Sequence, residues 1–148
     1  MKFTRVMSMV LVGIMLALAL VSCGSEPQKE VNVTVKIVAE EGADPILDAQ
    51  VIAKAATPTV LDAFIKACDE NEVPYVLESD TSGTPVSVQD VDTYTFHKDE
   101  NGIVYYWTYT INGEEPTSGK ANANTIEEGD VIVYSYVTYD PAADSSSK

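Results

Sequence analysis

Val31, Val33, Val35 and Ile37 alternate with Asn32, Thr34 and Lys36, and this period of two commits the start of the folded region to a strand with one buried face. Such a strand is not stable alone, because its apolar face needs both a paired neighbour and a covering layer. The neighbour follows at once. Residues 40–45 read as a turn punctuated by Gly42 and Pro45, and a second strand runs from Ile46 to Lys54 with Leu47, Ala49 and Val51 on one face. The expected unit is an antiparallel hairpin.

The covering layer is the next segment. Thr59 with Asp62 three residues later forms a variant of the capping box, and Pro58 ends the strand before it. Val60, Leu61, Phe64, Ile65 and Cys68 then recur at helical spacing, with Lys66, Asp69 and Glu70 mainly on the polar side. The helix is expected to stop near Asn71, a residue that tolerates left-handed backbone, ahead of Pro74. Residues 75–93 carry a short apolar piece, Tyr75-Val76-Leu77, and a polar insert with Gly83 and Pro85. Thr93 to His97, Ile103 to Ile111 and Val131 to Tyr139 read as strands, with turns at Asp99-Glu100-Asn101-Gly102, at Asn112-Gly113 and at Gly129-Asp130. Two strands, one helix and several more strands predict an α+β domain in which a mixed sheet curls around one helix, the β-grasp arrangement of ubiquitin.

The first 22 residues belong to a different plan. Lys2 and Arg5 precede an apolar run from Val6 to Val21 that holds no charge and is shorter than the roughly 20 apolar residues of a membrane-spanning helix. Leu20-Val21-Ser22-Cys23 resembles the lipobox of bacterial lipoproteins, which implies cleavage before Cys23 and diacylation of its thiol. Two acyl chains make a stable anchor where one does not. The chain thus reads as a signal peptide (1–22), a tether (23–30), one folded domain (31–139) and a disordered tail (140–148), exported and held on the outer side of a membrane by lipid. The full chain has a formal net charge of −14, and removal of Lys2 and Arg5 makes it more acidic still. Nucleic acid is therefore not an expected partner, since binding its phosphates needs a basic face.

With Cys23 lipidated, Cys68 is the remaining cysteine, and its place on the helix's apolar face marks it as a small core residue. The chain has one histidine, His97, no nucleophile with a plausible base and no glycine-rich phosphate loop, so no enzyme is expected. Asp44, Asp48 and the pairs Glu114-Glu115 and Glu127-Glu128 lack the spacing of a calcium loop, and neither a metal nor a cofactor is expected.

Tyr106-Trp107-Thr108-Tyr109-Thr110-Ile111-Asn112-Gly113, then Gly129-Asp130-Val131-Ile132, together with the helix start Thr59-Val60-Leu61-Asp62-Ala63, resemble the signature of the transcobalamin C-terminal-like β-grasp domain. The resemblance spans nearly all of residues 31–139. It implies a small-ligand module with a cobalamin-like or glycan-like ligand, although this sequence has no counterpart of the large helical domain that holds the vitamin in the animal carriers. An alternative function is protein–protein interaction or adhesion at the cell surface through an open strand edge or the sheet face. The candidate ligand-binding residues are the aromatics Tyr94, Tyr106, Trp107 and Tyr109, and the polar Thr117, Ser118, Lys120 and Asn122, which the resemblance places on a ligand-facing loop. Strand parity puts Trp107 and Tyr109 on the side of Ile103 and Ile111, toward the core, and leaves Tyr106 the more exposed ring.

Overall fold

The computed structural model describes residues 27–145. The expected signal peptide and the lipid attachment at Cys23 lie outside the described residues. Among those residues no helix is long and apolar enough to cross a membrane.

The chain is mostly β, with a curled mixed sheet and few helices. Strands β1 (Lys29–Val38) and β2 (Leu47–Ala55) form the expected antiparallel hairpin, in register from Lys29↔Ala55 to Ile37↔Leu47. The sheet starts two residues inside the expected tether, because Lys29 and Glu30 still pair and Lys54 Nζ reaches Glu30 Oε1 at 2.6 Å. Helix α1 (Val60–Glu70) follows, and the capping box at its start is complete. Thr59 Oγ1 accepts from the Asp62 N–H at 3.3 Å, and Asp62 Oδ2 accepts from the Thr59 N–H at 2.8 Å. The helix stops at Asn71 as expected, but the left-handed geometry falls one residue later. Asn71 keeps φ at −110° while its N–H and its Nδ2 both donate to the Ala67 carbonyl, so the left-handed residue is Glu72 at φ 57°.

Residues 75–93 resolve into a second, two-stranded sheet, β3 (Tyr75–Ser79) against β4 (Pro85–Val91), whose register shifts where β4 carries an extra residue, Gln89 opposite Val76 and Leu77 and Val86 opposite Glu78 and Ser79. The strand expected over Thr93 to His97 is mostly absent. Asp92 turns at φ 51° and Tyr94 N–H bonds back to the Val91 carbonyl, so β5 is only His97–Lys98. Strand β6 (Val104–Ile111) and strand β7 (Val131–Tyr139) stand where the periodicity put them, and the loop between them carries one 3-10 turn, Ala121–Ala123. A short helix α2 (Pro141–Ser145) lies in the stretch read as tail.

The main sheet runs β2-β1-β7-β6-β5, with β1 and β7 parallel at its centre. Helix α1 covers one face, and the inward residues are those the alternation selects: Val31, Val33, Val35 and Ile37 from β1, Ile132 and Tyr134 from β7, Trp107 and Tyr109 from β6. On the last strand, where apolar residues stand at both parities, Ile132 and Tyr134 face inward and Val131 is exposed. Phe64 projects from α1 into this face, with its ring 4.8 Å from that of Tyr134 and 5.5 Å from that of Tyr75.

Cys68 is fully buried on α1, as its position predicts. Burial, reinforced by the neighbouring Asp69 charge, pushes its thiol from an ordinary value of 9.0 up to about 12. An alkylating reagent at pH 8 is therefore expected to modify Cys68 only after denaturant is added. Burial also raises Tyr75, to about 12, and Tyr134. Acids whose folded values exceed their unfolded ones contribute stability that is complete below the unfolded values and disappears as pH rises through the folded ones. Urea midpoints measured at increasing pH are expected to fall steadily above about pH 9, where the unfolded thiol and phenols begin to ionise.

Candidate functional site

Between β4 and the outer side of β6 lies a cleft of about 440 Å³. Strand β6 gives it Tyr106, Trp107, Thr108 and Tyr109; β4 gives Ser87, Val88 and Gln89; Glu78, Phe96, Pro116, Gly119 and Tyr134 complete the wall. The cleft exists because β5 is so short. Strand β5 pairs with β6 only at His97↔Tyr105 and Lys98↔Val104, so beyond Tyr105 the edge of β6 borders the cleft instead of a strand, and the bond from Phe96 N–H to Asp90 Oδ1 ties the segment before β5 to β4.

The aromatic wall is held from behind. Trp107 Nε1 donates to the Tyr94 carbonyl at 3.1 Å, and its ring meets Tyr136 at 5.2 Å and, edge-on, Tyr94 at 6.3 Å. Tyr94 does not line the cleft; its ring also packs on Tyr136, and its hydroxyl donates to Glu40 Oε1. The Tyr136 hydroxyl donates to the Thr95 carbonyl at 2.6 Å. Rings locked by such contacts give a rigid apolar surface. Trp107 and Tyr109 are buried, at 8% and 5% exposure, as parity required, and yet both face the cleft along one side.

The polar residues expected on the ligand-facing loop are arranged otherwise. Thr117 Oγ1 donates to Asn124 Oδ1, Asn122 Nδ2 donates to the Pro85 carbonyl at 2.9 Å, and Ser118 Oγ accepts from Lys120 N–H. Their polar atoms hold the loop in shape, and only its Pro116 and Gly119 reach the cleft wall. The loop's centre is Asn124, the one buried polar residue among the described residues. Its Nδ2 lies 2.6 Å from the Tyr109 hydroxyl, 2.7 Å from the Ser118 carbonyl and 3.0 Å from the Lys120 carbonyl. Sequence reasoning missed Asn124, since an asparagine in a polar loop carries no pattern that marks it as buried. Phe96, 55% exposed at the rim, and Tyr134, on the floor, were missed as well.

The Tyr134 hydroxyl is buried and has no hydrogen-bond partner among the described residues. A buried phenol in that condition is costly unless something supplies an acceptor. No group of three or more His, Cys, Asp or Glu side chains stands together as a metal set among the described residues.

The two blocks of the sequence signature meet in space. Asn112 Nδ2 donates to Asp130 Oδ1 at 2.8 Å, and Asn112 Oδ1 accepts from the Val131 N–H at 2.9 Å, which ties the turn after β6 to the start of β7. A family model spanning both blocks, described as Domain of unknown function (DUF4430), matches residues 58–138. The chain belongs to the DUF4430 family. That match takes in α1, β3 to β7 and every wall of the cleft, and leaves out the β1–β2 hairpin.

Among solved structures, haptocorrin in complex with Cbi is similar at 15% identity and a TM-score of 0.56, over 81% of this chain and 28% of that one. The chain therefore spans little more than a quarter of that protein's length, and the likeness is one of fold. A protein from Ruminococcus gnavus ATCC 29149, provisionally described as metal binding, matches at 19% identity over 75% of this chain and 100% of that one, with a TM-score of 0.45. No curated protein matches the chain.

Proposed function

We propose that this member of the DUF4430 family is a binding module, not an enzyme, and that its ligand occupies the cleft between β4 and β6. The observation that carries this is the cleft itself, about 440 Å³ with Tyr106, Trp107 and Tyr109 on one side and β4 on the other, a volume that suits a small ligand. The sheet order with its central parallel pair and single covering helix supports the β-grasp reading of the fold. The fold likeness to haptocorrin makes a cobalamin-like compound the first candidate ligand, and the ring-lined wall makes a glycan the second. The lipobox supports export and anchoring through a diacylated Cys23 on the outer side of a membrane. Fatty-acid labelling that is abolished in Cys23→Ser, with release of the protein from the membrane fraction, is the test of the anchor.

The cleft is tested by thermal shift over corrinoid and glycan panels, with Trp107 fluorescence read in parallel. A ligand is expected to raise the melting temperature of the wild-type chain and quench Trp107. Tyr134→Phe removes an unsatisfied buried hydroxyl, so without ligand it is expected to gain about 1 kcal/mol of stability. With ligand it is expected to shift as wild type does, because that hydroxyl is shut off from the cleft surface. A wild-type melting temperature unmoved across both panels, with Trp107 unquenched, counts against these ligand classes; a Tyr134→Phe chain less stable than wild type shows that the hydroxyl is satisfied in the folded chain.

A further inference from the structure

We propose that the ligand of the cleft is a short extended peptide, whose main chain adds to the outer edge of β6 at Trp107 and Tyr109. The inference rests on the cleft being the binding site and names the chemistry that fills it. Strand β6 pairs with β7 along its whole length but with β5 only at Val104 and Tyr105. Successive residues of an antiparallel strand turn their N–H and C=O groups to opposite sides. Parity is fixed at the end of β6: Asn112 N–H donates inward to the Val131 carbonyl, while Ile111 exchanges both of its main-chain bonds outward with Glu114, at 2.9 and 3.0 Å. Trp107 and Tyr109 share the parity of Ile111, so their main-chain groups face the cleft, and among the described residues none pairs with them there.

Two donor–acceptor pairs set two residues apart repeat at about 7 Å, the repeat of one extended chain. That geometry selects a peptide main chain over a sugar, whose hydroxyls carry no such alternation. The edge also lacks the usual protection. Residues 106–110 include no proline and no charge, whereas the other open edge of the main sheet, β2, carries Asp48 and Lys54, and among the described residues the groove beside it is lined by no aromatic ring. On β6 the opposite wall is β4, Phe96 stands at the rim to take an apolar side chain, and Glu78 favours a cationic one.

The test uses the full chain and a library of N-acetylated, C-amidated random hexapeptides. Peptides retained by the protein are remade with N-methyl groups on alternate residues, giving two complementary sets. One set is expected to lose affinity by about tenfold or more while the other binds like the parent, because only alternate amides enter the ladder. Hydrogen exchange at the Trp107 and Tyr109 amides is expected to slow on binding, with β2 unchanged. Equal behaviour of the two sets, protection along β2, or retention of no peptide overturns the proposal. If a corrinoid or glycan quenches Trp107 while no peptide is retained, the peptide assignment falls and the cleft reading stands; silence from all three panels removes both.

Discussion

Asn124→Ala is expected to lower folding stability by about 3 kcal/mol, a large effect for a loop residue, because a buried hub of hydrogen bonds disappears with one side chain. The amide it removes donates to the Tyr109 hydroxyl and to the Ser118 and Lys120 carbonyls, and it accepts from Thr117 Oγ1. Alanine leaves those groups facing a small void. The main-chain bond from Val60 N–H to the Asn124 carbonyl, at 3.0 Å, does not depend on the side chain, so the helix start should survive and the loss should centre on residues 117–124. Urea denaturation gives the magnitude, and hydrogen exchange gives the location. Thr117→Ala, which removes one exposed partner, is expected to cost about 1 kcal/mol or less. Asn124→Asp separates volume from chemistry. A carboxylate there would face two carbonyl oxygens with no proton to donate, so it should be worse than alanine at neutral pH. Its deficit should shrink as pH falls and the carboxyl takes up a proton. A chain that tolerates both substitutions would show that Asn124 is not what holds residues 117–124 in shape.

Phe64→Ala is expected to be at least as damaging, at about 3–5 kcal/mol. Phe64 is fully buried and contacts Tyr75 on the small sheet and Tyr134 on the large one, so it joins three layers: the helix, the main sheet and the β3–β4 hairpin. The surrounding atoms belong to strands fixed by their ladders and cannot collapse into the space. The lesion should also reach the cleft, because Tyr134 forms its floor and β4 its far wall. The expected result is a lower urea midpoint together with a changed Trp107 emission before the unfolding transition. Phe64→Leu, which keeps most of the volume, should recover the greater part of both. A stability change under about 1 kcal/mol for the alanine variant would contradict the packing described here.

The alternation at Val31 to Ile37, the capping box at Thr59 and Asp62, and the Asn112-Gly113 turn could all be read before any coordinates, and for one reason. Each depends on residues a few positions apart, so the physics is local. Asn112 and Gly113 do take the positive φ values, 54° and 83°, that a two-residue hairpin turn demands. The register of β7 was readable as a strand but not as a face, since apolar residues stand at both parities and only α1, by covering one side, decides that Ile132 and Tyr134 go in. The stretch from Tyr75 to Thr93 was opaque because its hairpin carries register shifts, and a shift breaks the period of two on which strand reading depends.

The candidate site divides along the same line. Trp107 and Tyr109 could be picked out as rings on one strand face, but the sequence says nothing of where a neighbouring strand stops. Asn124 and Tyr134 illustrate the point further, being polar groups whose weight comes from what lies, or fails to lie, within hydrogen-bonding distance. What the sequence by itself determined, then, is the set of elements and their buried faces, through short-range periodicity and caps. What only the tertiary structure decided is that β5 ends after two residues and leaves the edge of β6 open opposite β4, because an unfilled ladder is a relation between segments distant in the chain and has no local signature.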